Sequence, residues 1–232
     1  MPALDQRVVL ITGAKGGLGT FVTEAFLAAG ATVVGISRSI QQSDFPNPQF
    51  TAMPAELSNG VAARQLASDV AAKFQRIDIL VHLVGIYAGG KPVAETDEEM
   101  LDRMLDTNLK SAFHIAGAVI PFMRAQGGGR ILAIGSRAAG EAYPGIGVYA
   151  ASKAALVSLI RTIAAENKDR CISANIIQPG TIDTAANRKN DPKADYSKWV
   201  HPAQIANLLV CLAADTASQV SGAVIPIYGG EL

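Results

Sequence analysis

The 232-residue sequence predicts a single-domain α/β fold, a doubly wound parallel sheet of about seven strands with helices on both faces. Three observations carry that expectation. Short β-branched apolar runs alternate with helix-length segments along the whole chain, the pattern of strands joined by crossover helices. Hydrophobic residues make up 49% of the chain and charged ones only 17%, which suits a sheet covered on both sides. No repeat, low-complexity stretch or composition shift interrupts the alternation, so residues 1–232 read as one domain without a linker.

The elements follow in order. Residues 7–12 form an apolar run ending at glycines, a buried first strand. A helix over 17–29 turns Phe21, Val22, Ala25, Phe26 and Ala29 inward, and Gly30 stops it. Residues 31–36 are a second strand, 43–49 a Pro- and Asn-containing loop, and 50–53 a short third strand. Ser58 is placed to cap a helix running to Phe74. The strongly apolar strand 77–83 ends near Gly85, and a polar loop through Gly89 and Gly90 leads into a helical region over 97–124. Strand five is 130–134, the long helix 147–167 and strand six 172–177. The polar stretch 184–199 reads as a mobile flap or small helix, followed by a helix over 202–214 and a last strand over 223–227.

Charge and cysteine usage narrow the function classes. Lys+Arg and Asp+Glu are 20 each, so no net field favours nucleic acid or an anionic membrane. No basic, apolar leader and no uninterrupted apolar run of bilayer length is present. Cys171 and Cys211, far apart, suit buried free thiols in a reducing compartment. A cytoplasmic protein without metal is the expectation.

Two stretches carry chemistry. Tyr149 and Lys153 lie four apart in the long helix, hence on one face one turn apart. An ammonium there would stabilise a phenolate and draw a tyrosine pKa of ~10 toward neutrality. The run Thr12-Gly13-Ala14-Lys15-Gly16-Gly17-Leu18-Gly19 sits where strand one enters helix one. Its glycines allow a tight turn and let a pyrophosphate reach backbone amides at a positive helix end. Strand two ends Gly35-Ile36-Ser37-Arg38, with no carboxylate to hold a ribose. Arg38, with Lys15 nearby, is suited to a 2′-phosphate, which favours NADP(H) over NAD(H).

With these motifs the chain resembles the short-chain dehydrogenase/reductase family, a Rossmann-like fold, from Thr12 to Gly230. The likeness rests on Thr12-Gly13-x-x-x-Gly17-x-Gly19, Asn108 in Thr107-Asn108-Leu109, Ser136 after Ile134-Gly135, Tyr149-x-x-x-Lys153 and Pro179-Gly180. It implies Tyr149 as general acid or base, Ser136 as partner of the same carbonyl oxygen, and Lys153 as the group that lowers the tyrosine pKa and holds the nicotinamide ribose. It implies that Asn108 breaks its helix and positions a water linking Lys153 to solvent. The Ile182 backbone is implied to meet the carboxamide, the Thr184 hydroxyl the carboxamide or a phosphate, and Glu56-Leu57 the adenine; Val84 and Gly85 would back the cofactor. One departure is His82-Leu83-Val84-Gly85, where the family usually reads Asn-Asn-Ala-Gly. On a central strand His82 is expected to be a buried, hydrogen-bonded histidine rather than a base.

The resemblance implies hydride transfer between a nicotinamide and a small-molecule carbonyl or secondary alcohol, in a homodimer or homotetramer. Reduction of a 3-oxoacyl thioester on acyl carrier protein is one option within it. The flap from Asp183 to Trp199 resembles quinoid dihydropteridine reductases, which gives a second option, and a nucleotide-binding sensor without turnover is the alternative of another class. Substrate walls are expected from Tyr87, Tyr143, Ile146, Tyr196 and Trp199, with Arg188, Lys189 and Lys193 available to an acidic group.

Overall fold

The sheet has seven strands in the order β3-β2-β1-β4-β5-β6-β7. They are β1 (Val8–Thr12), β2 (Thr32–Ser37), β3 (Phe50–Pro54), β4 (Ile79–His82), β5 (Gly129–Ile134), β6 (Ile172–Pro179) and β7 (Val224–Ile227). Every pairing is parallel. The computed structural model describes residues 3–57 and 59–230. Val9, Leu10, Ile11, Leu80 and Val81 have no exposure and Ile79 almost none, because helices cover both faces. Those helices are α1 (Gly19–Ala28), α2 (Gly60–Phe74), α3 (Glu98–Leu105), α4 (Ser111–Ala125), α5 (Gly147–Asn167), α6 (Ala185–Asn190) and α7 (Pro202–Ala213). One core layer gathers Leu66, Ile115, Leu156 and Ile160, and the other Val22, Phe26, Ile205 and Leu209.

The strand order reverses between β1 and β4. Chains leaving these two strands diverge, and a crevice opens at their carboxyl ends. At the opposite end a smaller cavity of about 230 Å³ is bordered by Arg7, Arg76 and Arg130. Buried Asp78 there accepts from Arg7, Arg76 and the Val8 amide, and Asp215 holds Arg7 at 2.7 Å, so these charges tie strand ends together.

Several expectations are corrected. Phe21 is 38% exposed and meets the His201 ring edge-on, so the inward face of α1 is Val22, Thr23, Phe26 and Leu27. Asn59 caps α2 by accepting the Ala62 amide, while Ser58 lies outside the described residues. Both cysteines are free but exposed; Cys171 occupies a left-handed turn position and is not a core thiol. The helical region 97–124 is interrupted by a π turn, Asp106–Lys110. The segment Gly147–Arg170 does have the length and hydropathy of a bilayer span, at 1.3. It nevertheless buries Leu156, Ile160 and Ile163 in the core.

Candidate active site

The crevice is a cavity of about 860 Å³. Its rim is assembled from the residues that follow β1, β4, β5 and β6: Gly13, Gly85, Ser136 and Gly180. Local sequence explains why each chain turns there. Gly13 has φ +72°, and its amide donates to Ile36 O at 2.7 Å. A side chain on Gly19 would lie 2.0 Å from Gly13 O, so only glycine lets α1 begin against that turn. The α1 amide end has no side-chain cap at Leu18 and faces the same cavity. This cradle fits the pyrophosphate of a dinucleotide, since the glycines keep the turn tight and the uncapped amide end of α1 opens on the cavity.

The cavity brings together Gly13, Gly17, Leu18, Gly19, Gly85, Ser136, Tyr149, Lys153, Pro179, Gly180 and Ile182. Tyr149 stands in the first turn of α5, and its hydroxyl faces Ser136 closely enough for the serine to act on its pKa. Its ring meets Tyr87 edge to face, with centroids 5.0 Å apart. Ser136 caps the short turn Arg137–Ala139, accepting the Ala138 amide at 3.2 Å.

Burial raises the Tyr149 pKa above its ordinary value, and the neighbouring Ser136 hydroxyl offsets only part of that. The expected lowering by Lys153 is therefore corrected. The lysine amine points elsewhere, donating to Ile134 O at 3.1 Å, and burial brings its own pKa down to about 8. Lys153 also approaches Gly85 closely: a Cβ there would sit 2.9 Å from Nζ and 3.2 Å from Asn108 Oδ1. Gly85 thus makes room for the lysine and asparagine. We expect Gly85→Ala to displace the flexible amine, lowering kcat roughly 10–100-fold while the melting temperature stays within a few degrees. Parallel kinetics and thermal unfolding check this, and unchanged kcat would refute it.

Asn108 lies in the π turn with no exposed surface. Its side chain accepts the Ile86 amide at 2.8 Å and donates to Ile86 O and Ser152 Oγ, both at 3.0 Å. Both amide protons are spent, so the side chain clamps the segment after β4 to α5. The Thr107-Asn108-Leu109 motif marked it in the sequence, and the poor helix propensity of asparagine is the physical reason such a residue stands out there.

The adenosine end is less gathered. Ser37 closes β2 with a buried hydroxyl that has no partner. Arg38 is exposed and has no ion-pair partner among the described residues. Lys15 is not free: it pairs with Asp44 at 2.9 Å and reaches Ser39 O at 3.3 Å. Asp44, in the turn Gln42–Asp44, was missed because nothing in the sequence folds that loop back on the glycine turn. Glu56 is exposed, while Leu57 is buried in the core, and neither lines the cavity. Val84 is half-buried with its amide against Gly13. Ile182 O is already taken by the Thr184 amide and by Asn187 Nδ2, each at 2.8 Å. Thr184 caps α6 and packs against Gly17.

Of the expected substrate walls, Tyr87, Tyr143, Ile146 and Trp199 line the cavity. Tyr196 does not; its ring meets Trp199 at a tilt, with centroids 4.8 Å apart, and the Arg188 guanidinium lies 4.6 Å from its ring centroid. Arg188 is spent on Asp183 at 2.6 Å, and Lys189 and Lys193 are exposed away from the cavity. The cations that do line it, apart from Lys153, are Arg137 and Lys198.

A glycine cradle at the switch point of a parallel sheet, facing a phenol, a serine and a buried amine, defines a nicotinamide-dependent oxidoreductase. The family model for short chain dehydrogenase matches residues 7–195. The 3-oxoacyl-[acyl-carrier-protein] reductase of Thermotoga maritima is 31% identical, covering 98% of this chain and 98% of its own. The 2-dehydro-3-deoxy-D-gluconate 5-dehydrogenase of Pseudoalteromonas atlantica is 30% identical over 98% of this chain and 96% of its own. A solved structure of a short-chain dehydrogenase/reductase from Burkholderia xenovorans superposes with a TM-score of 0.92 at 27% identity, covering 99% of this chain and 98% of that one. The chain belongs to the short-chain dehydrogenase/reductase family.

Proposed function

We propose that this oxidoreductase uses NADP(H) to reduce the 3-oxo group of an acyl thioester to the secondary alcohol. The observation that carries the reading is the meeting of Tyr149 and Ser136 inside the cavity that opens on the glycine turn. With its pKa raised, the phenol keeps its proton at neutral pH, the form that reduction requires. Tyr149 donates that proton to the substrate oxygen, and the Ser136 hydroxyl stabilises the charge developing there. Lys153 holds the ribose hydroxyls and, with a pKa of about 8, supplies a proton back to the phenol. Asn108 keeps the lysine in register through Ser152. The dinucleotide, when bound, supplies the hydride.

The 2′-phosphate is assigned to Arg38, with Lys15 sharing it against Asp44 and Ser37 lending its unpartnered hydroxyl. Glu56 and Leu57 contribute near the adenine through backbone, and Pro179, Gly180, Ile182 and Thr184 border the nicotinamide. Aromatic walls with Ile146 suit an acyl chain, and the curated relative from Thermotoga maritima points to the same class. The flap 184–199 acts as a lid on residues 1–232, a single unit. The unit works in the cytoplasm as a homodimer or homotetramer, with α4 and α5 as the subunit face; Phe113 there is 60% exposed.

The test is turnover of acetoacetyl-CoA with NADPH, against NADH and against a quinoid dihydropterin. Faster turnover of the pterin, or a preference for NADH, would reject the assignment. Arg38→Ala should weaken NADPH roughly tenfold relative to NADH. An unchanged ratio would remove the arginine from the phosphate site.

A further inference from the structure

We infer that His82 is a positioning residue, the centre of a one-way chain of hydrogen bonds that fixes the π turn carrying Asn108 to the strand leading into the nucleotide cradle. This deepens the reductase reading above and rests on it for the consequence in turnover. The geometry of the chain stands by itself.

His82 is the last residue of β4, in register with Thr12 of β1, and is 2% exposed. Its Nδ1 is 2.9 Å from Thr12 Oγ1 and its Nε2 is 3.3 Å from Ser111 Oγ. The direction of each bond follows from the neighbours. The Ser111 hydroxyl proton goes to Thr107 O at 2.5 Å, so Ser111 Oγ accepts from His82 and Nε2 carries the hydrogen. A neutral ring then has a lone pair on Nδ1, which accepts the Thr12 hydroxyl proton. Thr12 Oγ1 in turn accepts the Leu83 amide at 3.2 Å. Each member gives one proton and receives one. A second proton on the ring would have to face Thr12 Oγ1 and evict the hydroxyl proton. Lys153, the charged group that acts on the ring, opposes it as well.

The chain ends on the π turn. Thr107 precedes Asn108, which grips Ile86 and Ser152, and Ser152 precedes Lys153. Thr12 precedes Gly13 at the other end. The imidazole therefore sets the distance between the glycine turn and the catalytic lysine. The histidine stands where the family usually has asparagine, whose shorter side chain does not present two ring nitrogens to opposite partners. Fully satisfied buried networks of this kind rigidify what they connect.

The experiment begins with the full chain labelled uniformly with 15N and needs no turnover. The His82 ring is expected to be the Nε2–H tautomer and not to titrate between about pH 5 and pH 9. Ser111→Ala should move the Nε2 signal and the Asn108 side-chain amide signals together. In kinetics, Ser111→Ala and His82→Leu should each lower kcat about tenfold, leaving KM for the dinucleotide unchanged. His82→Gln, whose amide nitrogen reaches the Nε2 position, should recover most of the loss. An Nδ1–H or titrating ring overturns the chain of bonds, and wild-type kcat in His82→Leu overturns the positioning role. If His82→Leu does not fold, Ser111→Ala decides, since it removes one acceptor and no bulk. If no carbonyl is turned over at all, the reductase reading fails, while the tautomer and the Asn108 shifts still decide the chain.

Discussion

Tyr149→Phe is expected to lower kcat for carbonyl reduction by roughly 10²–10⁴-fold, the range that a positioned proton donor supplies. The change removes one oxygen. The ring that meets Tyr87 edge-on at 5.0 Å remains, and so does the helix that carries it. Dinucleotide affinity, set at the glycine turn, should therefore be unchanged, and the melting temperature nearly so. Measuring kcat beside fluorescence titration of the nucleotide separates the two quantities. Retained turnover with a cognate carbonyl would remove Tyr149 from the chemistry.

The pH dependence has a definite sign. A phenol with raised pKa stays protonated through neutrality, and the lysine with a pKa of about 8 loses its charge above that pH. Reduction should hold from neutral pH up to about 8 and fall beyond it, whereas alcohol oxidation, which needs the phenolate, should rise on the alkaline side.

The sheet was legible because its signal is repeated. Each strand is an apolar run between glycine or polar breaks, and the parallel, doubly wound class followed from alternation with helices. Tyr149, Ser136 and the glycine turn were legible because their spacing is local or tied to strand ends. What failed to show in sequence was orientation. Lys153 lies on the tyrosine's face by helical spacing, yet its long side chain runs to Ile134 O and Gly85, where burial governs both pKa values. Lys15 looked available until the loop after β2 returned Asp44 to it. Arg188 looked like a substrate contact, but Asp183, five residues earlier, claims it when α6 forms. Each miss concerns the partner of a charged side chain, which depends on loop conformation and not on periodicity.

The same buried histidine leads to an expected result in stability. Burial, and next the charge of Lys153, lower the His82 pKa to about 3, against 6.5 for an exposed ring. The unfolded chain takes up this proton below its own pKa and the folded chain does not, so acid favours unfolding. The folded state should lose roughly 1.4 kcal/mol for each pH unit below about 6, until the ring protonates in the fold or the fold fails. Above neutrality the contribution is complete and flat. Asp44, Asp97, Asp183, Asp195 and Glu141 are also held below their ordinary values, by ion pairs or hydrogen bonds. Their losses begin near about pH 4 and lower, beneath the histidine window. Urea unfolding at a series of pH values from about 4.5 to 7 reads the slope. His82→Gln, which has no proton to gain, should flatten it across that range. A wild-type slope as flat as the variant's would mean that the ring accepts its proton in the folded chain, and the burial argument for a neutral His82 would be wrong.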